Sequence, residues 1–266
     1  MISIQRGYAD LPGGQVHYRT SGTDPGIPIV MFHQTASSSV MFEAVMERLL
    51  PRRCIALDTP GFGASTPLDA VTVDGWAEAL DAALDSLGFR DMDVVGHHTG
   101  ASIACAIAVR RGVRVRRLAL GGPPLLSAAT RERIRAAARE PQWLDDGSHL
   151  LSAWRRSSRY APRGPLGLVQ RETLLLLEAH APHLAMQAVL DYDLGAALDA
   201  IDGPLLVFAG DGDPIIEGLA TVAARRPGTV ATVIPSAGVH VFDEQPEAVA
   251  ATLTAFFGER GWETSR

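Results

Sequence analysis

Short, mainly apolar runs alternate along this chain with stretches whose apolar residues recur at helical spacing. No other feature restricts the fold as much. The runs are Ile27–Phe32, Cys54–Leu57, Met92–Val95, Val115–Leu120, Leu205–Ala209 and Val230–Ile234. Ile27–Phe32 and Cys54–Leu57 are apolar on both faces of a strand, which fits strands of a parallel sheet covered on both sides. The spacing predicts helices over Val40–Leu50 (stopped by Pro51), Val73–Leu87 (stopped by Gly88), Ala101–Val109 and Pro246–Phe257. Strand–helix alternation of this kind is the mark of a doubly wound α/β domain. Two further extended segments open the chain, near Tyr8–Leu11 and Gln15–Ser21, joined by the turn signal Pro12-Gly13-Gly14. From Leu125 to Leu190 the alternation breaks and the chain reads as helix after helix, taking in Trp143, Trp154 and Tyr160. The expected organisation is a core of residues 1–124 and 191–266 with a helical cap, 125–190, inserted in it.

Composition narrows the function classes. The net charge is −6, and all 24 basic residues are arginine. The arginines between Arg110 and Arg117, and Arg131, Arg133 and Arg135, read as a strand entry and a solvated helix face, so no nucleic-acid partner is expected. Cys54 and Cys105 both lie in apolar runs, which predicts buried free thiols. No basic segment followed by an apolar stretch opens the chain, and no apolar run approaches the ~18 residues of a membrane span. A cytoplasmic protein acting on a small molecule, as monomer or homodimer, is the expectation.

Gly96-His97-His98-Thr99-Gly100 lies between an apolar strand and a helix of small residues. This is the context of the G-x-S-x-G nucleophile elbow, where glycines permit a sharp turn that lifts the central side chain above the sheet. The next backbone N–H opens a helix, where it can stabilise negative charge. The central residue here is His98.

With this elbow the chain resembles the α/β-hydrolase superfamily over nearly its whole length. His33-Gln34-Thr35 is similar to the family's His-Gly oxyanion loop, and Asp58-Thr59-Pro60-Gly61-Phe62-Gly63-Ala64-Ser65 to its D-x-P-G-x-G-x-S loop. Gly210-Asp211-Gly212-Asp213 is similar to the G-x-x-D after the acid-bearing strand. The resemblance implies an α/β fold with a doubly wound, mostly parallel eight-stranded sheet and an inserted helical cap. It implies Asp213 as the acid, with Asp211 its nearest rival, and His240 as the loop histidine. His240 stands one step beyond the family's register, because Gly238-Val239-His240 replaces a Gly-His pair.

Other residues carry paired readings. Gln34 stands where the oxyanion loop usually has glycine, and its amide either bonds a substrate carbonyl or braces the loop. Thr35 and Thr99 are expected to give oxyanion-hole N–H groups, with the Thr99 side chain turned from the elbow tip. Ser37, Ser38 and Ser39 read as caps of the following helix, His97 as core and Asp58 as a loop brace. Trp154, with Trp143 and Tyr160, either lines a pocket under the cap or packs the cap onto the core. His180 and His183 fall three apart on one expected helix face. With His149, they lack carboxylate or cysteine partners at matching spacing, so no metal is expected. No G-x-G-x-x-G or P-loop appears and no organic cofactor is expected.

Without a hydroxyl at the elbow the ordinary acyl-enzyme route is lost. Three readings stay open. His98 serves as an acid–base group on a small carbonyl-containing metabolite, in a lyase, cyclase, isomerase or decarboxylase reaction. Alternatively, an ester, lactone or C–C bond is hydrolysed by His98 directly or by water with Asp213 and His240. The third is an inactive binding protein.

Overall fold

The computed structural model describes residues 4–162 and 164–258. The chain runs β1 (Gln5–Leu11), β2 (Gly14–Ser21), β3 (Ile29–Phe32), α1 (Glu43–Arg48), β4 (Cys54–Leu57), α2 (Val73–Ser86), β5 (Met92–His97), α3 (Thr99–Arg111) and β6 (Val115–Gly121). Five helices follow: α4 (Ala128–Ala137), α5 (Ser148–Tyr160), α6 (Leu166–Glu178), α7 (Pro182–Asp191) and α8 (Leu194–Asp199). Then come β7 (Leu205–Gly210), α9 (Glu217–Arg225), β8 (Val230–Ile234), α10 (Val241–Glu244) and α11 (Pro246–Gly258). A single eight-stranded sheet has the order β1-β2-β4-β3-β5-β6-β7-β8. Only the pairings of β2 with β1 and with β4 are antiparallel. This is the doubly wound, mostly parallel sheet that the alternation implied.

Alternate strand residues feed two apolar layers. Val30, Phe32, Ile55, Leu57, Val94, Leu118 and Val207 face the layer built with α2, α3 and α8. Ile29, Met31, Ala56, Val95, Ala119, Leu206 and Phe208 face the layer built with α1 and α11. The period of two in a strand thus explains why runs such as Ile29–Phe32 and Cys54–Leu57 are apolar throughout. Cys54 and Cys105 are buried free thiols in opposite layers, and burial pushes both up to about 12. The expected helix over Val40–Leu50 is shorter, because a 3-10 turn over Ser39–Phe42, capped by Ser38, precedes α1. Among the described residues no helix is long and apolar enough to cross a membrane.

Trp76 on α2 is 1% exposed and meets Phe62 edge to face at 6.1 Å. Trp76→Ala is expected to lower the unfolding free energy by about 3–5 kcal/mol, measured by urea titration. A loss under 1 kcal/mol would contradict the packing described.

Candidate active site

The elbow stands at the join of β5 and α3. His98 has φ 49° and ψ −110°, a conformation costly for a residue with a Cβ. Two bonds hold it there: His98 N–H donates to Gly121 O at 2.8 Å, and Ala101 N–H to His98 O at 2.8 Å. Gly100 lets the helix start against β3, since a Cβ there would lie 2.0 Å from Phe32 O. His97 points into the core. It is fully buried, its Nε2 is 2.7 Å from Val239 O, and its Nδ1 is 3.1 Å from Gly121 O.

From the elbow the His98 ring reaches the acid directly. His98 Nε2 lies 2.7 Å from Asp213 Oδ2, and Asp213 Oδ1 accepts from Ile215 N–H at 2.9 Å. Asp213 is 3% exposed. Burial would raise its carboxyl, but the charge and hydrogen bond of His98 outweigh it and hold the group below the usual carboxylate range. An ionised Asp213 accepts from Nε2–H, which leaves Nδ1 of His98 without a partner among the described residues. Gly122 makes room for this pair. A Cβ at Gly122 would lie 2.5 Å from His98 Nε2 and 3.0 Å from Asp213 Oδ2, and its φ of +53° disfavours a side chain as well. Gly122→Ala is therefore expected to split the dyad and lower kcat/KM by on the order of 100-fold. A variant with wild-type turnover would contradict that role.

His240 reaches the same cavity but does not pair with the acid. Its Nδ1 is 3.2 Å from Gln34 Nε2. Burial lowers its pKa to about 4, so the ring is neutral at pH 7 and its Nδ1 accepts from the Gln34 amide. Gln34 Oε1 is buried and unpartnered. Asp211, the rival acid, instead accepts from Ser236 and Ala237 N–H and braces the loop leading to His240. Thr35 N–H is 3.3 Å from Thr99 Oγ1, and the two hydroxyls are 2.8 Å apart. The Thr99 side chain thus faces the oxyanion loop, and the Thr35 N–H already has an acceptor, which the sequence did not indicate. His33 ties that loop to the Asp58 loop: Nδ1–H donates to Gln34 O and Nε2 accepts from Thr59 N–H, both at 2.8 Å. Asp58 accepts from His17 and from the N–H groups of Ser39 and Ala64.

A cavity of about 260 Å³ lies over the dyad. Gln34, Thr35, His98, Thr99 and His240 form its floor, and residues of α4 to α7 its cap side. Tyr160 lines it, with Arg133, Arg156 and Ser157. Trp154 does not: it packs against Ala161, Leu168 and Val169 inside the helical region, which corrects its place as a substrate-binding candidate. Trp143 borders a second cavity with His149, His180 and His183. His180 precedes α7 and is held by Gly61 O, so it does not share a helix face with His183. Among the described residues no three His, Cys, Asp or Glu side chains group as metal ligands.

Sequence reasoning missed Glu172 on α6. It lines the cavity and is 7% exposed. Ser37 Oγ donates to its Oε1 at 3.2 Å, so Ser37 is not a helix cap. Arg171 donates to the same oxygen at 2.7 and 2.9 Å, and to both oxygens of Asp243. Helical periodicity marks α6 but cannot show which of its polar residues faces inward.

His97 and His240 set a pH dependence of stability. Burial lowers His97 to about 3 and His240 to about 4, against about 6.5 in an unfolded chain. Between pH 6.5 and 4 the unfolded chain therefore binds more protons, and stability falls as pH falls. Each ring adds up to about 1.4 kcal/mol per pH unit. Urea titrations at pH 7, 5.5 and 4.5 should show this slope, reduced in His240→Gln; an unchanged slope in the variant would contradict it.

The sequence model described as "Alpha/beta hydrolase family" matches residues 26–252. The 2-succinyl-6-hydroxy-2,4-cyclohexadiene-1-carboxylate synthase of Enterobacter sp. (strain 638) is 28% identical over 250 residues, 88% of this chain and 93% of that protein. The 2-hydroxymuconate semialdehyde hydrolase of Pseudomonas sp. (strain CF600) is 39% identical over 103 residues, 36% of each. Among solved structures, an esterase from Thermogutta terrifontis (malate bound) superposes with a TM-score of 0.78 at 25% identity, covering 96% of this chain and 98% of that one. The E-2-(acetamidomethylene)succinate hydrolase gives 0.80 at 21% identity, covering 97% and 100%.

Proposed function

The chain belongs to the alpha/beta hydrolase family, and we propose that within it His98 works with Asp213 as a general base on a small carbonyl-containing metabolite, without a covalent intermediate. The observation that carries this reading is the 2.7 Å contact between His98 Nε2 and Asp213 Oδ2. It supports a reading in which Asp213 serves the elbow residue and Nδ1 is the basic nitrogen offered to the substrate. In the reaction Nδ1 takes a proton from the carbon beside a carbonyl. The C–H electron pair moves into the carbonyl, and the oxygen becomes an enolate. The Thr99 backbone N–H at the start of α3 is positioned to bind that oxygen. The long Thr35 N–H bond to Thr99 Oγ1 gives way to the stronger acceptor. Asp213 meanwhile stabilises the imidazolium that forms. Reprotonation, or loss of a leaving group from the enolate, completes an isomerase- or lyase-type reaction. Arg133 and Arg156 line the cap side of the cavity and favour a substrate that carries negative charge. The synthase relative is named for a carboxylate, which agrees with that choice.

Hydrolysis is the second reading, favoured by the hydrolases among the relatives. There Nδ1 would deprotonate water or attack the carbonyl itself. One experiment separates the routes. Small ketones, keto acids, esters and lactones are turned over in D₂O, and the protein is quenched rapidly for mass spectrometry. Deuterium at the carbon beside the carbonyl, with His98 unmodified, is the expected result. An acyl group on His98 would overturn the proposal.

A further inference from the structure

The cavity wall holds two acceptor atoms that the protein leaves unused. All hydrogen bonds to Glu172 from the described residues fall on Oε1, from Ser37 Oγ and from Arg171 Nε and Nη2. Oε2 receives none, although the Glu172 side chain is 8% exposed and borders the cavity. Gln34 lines the same cavity, and its Nε2 is committed to His240. Its Oε1 is buried without a partner. Ser37 joins the two residues, since its N–H donates to Gln34 O at 2.9 Å while its hydroxyl holds Glu172. A buried acceptor left without a donor is costly, and Gln34 Oε1 is one. With Glu172 Oε2 bordering the same cavity and taking no donor from the described residues, the pair points to a ligand that supplies donors.

We propose that Glu172 and Gln34 form a subsite for a hydrogen-bond-donating group of the substrate, a hydroxyl or an amine, carried close to its carbonyl. This rests on the reading of the cavity as the substrate site. The Arg171 guanidinium does not compete for the ligand, because it is locked to Glu172 Oε1 and to both Asp243 oxygens. It fixes the carboxylate with one oxygen held and the other presented to the cavity. A substrate bearing only acceptors beside its carbonyl meets two acceptors there and is rejected.

The test is a binding ratio. Dissociation constants of 2-hydroxyacetophenone and 2-methoxyacetophenone, which differ in one donor, are measured by NMR on the full chain. Wild type is expected to prefer the hydroxy ketone roughly tenfold. In Glu172→Gln the side-chain oxygen stays with Arg171 and the NH₂ group faces the cavity. That variant is expected to lose the preference or favour the methoxy ketone, with an unchanged melting temperature. His98→Ala is expected to keep the wild-type ratio, because the subsite does not depend on the base. A wild type with no hydroxyl preference, through equal binding or none, overturns the subsite. So does a Glu172→Gln variant that keeps the tenfold ratio. An acyl adduct on His98 would sink the acid–base reading and leave this ratio untouched.

Discussion

Replacing His98 by alanine is expected to lower kcat/KM by on the order of 10²- to 10⁴-fold, the range for loss of a positioned general base. The fold should survive. Alanine meets the same cost at φ 49° as histidine does, and the His98 ring lines the cavity, with His97 4.4 Å away between centroids. His98→Ser is expected to be no better than the alanine variant. A serine at the elbow needs a histidine to take its proton, and the other cavity-floor histidine, His240, bonds Gln34 rather than Asp213. Steady-state kinetics on any substrate found for the wild type will decide this. Wild-type rates in the alanine variant would remove His98 from the chemistry. A serine variant with gained esterase activity would show that His240 can take up Asp213.

Asp213→Asn is the second large effect. The asparagine keeps a carbonyl oxygen for Ile215 N–H but presents NH₂ to His98 Nε2. An NH₂ group donates, so Nε2 must accept and the ring proton moves to Nδ1. The basic nitrogen facing the substrate is then lost while the geometry stays. A fall in kcat on the order of 10³- to 10⁴-fold is expected from this tautomer change, with little change in KM. A fall under tenfold would show that the Asp213 contact does not set the ring's proton.

Most of the fold was legible. The apolar run Cys54–Leu57 coincides with β4, because a strand buried in a parallel sheet leaves an unbroken apolar signature, and Val230–Ile234 coincides with the edge strand β8, although most of its residues are exposed. His33-Gln34-Thr35 follows β3, His98 stands between β5 and α3, and Asp213 follows β7. The wiring between them was not legible. That His98 takes Asp213, while His240 takes Gln34, depends on the reach of a side chain across the sheet. It also depends on Gly122, an unremarkable glycine in Gly121-Gly122-Pro123-Pro124 until its missing Cβ is seen to make room for the dyad. The cap side was the least legible. Trp154 reads as an aromatic lining but finds its partners in Ala161, Leu168 and Val169, and Glu172 gave no signal because its partner Ser37 is distant in sequence. Helical spacing alone also placed His180 on a helix that begins at Pro182.

The central claim is that Asp213 has passed from the loop histidine to the elbow histidine and fixed its proton on Nε2. Nitrogen-15 NMR of histidine-labelled protein at pH 7.5 reads this directly. The expected spectrum shows His98 with a protonated Nε2, hydrogen-bonded to Asp213, and an unprotonated Nδ1. A His98 protonated at Nδ1, or a His240 proton bonded to Asp213, would contradict the account.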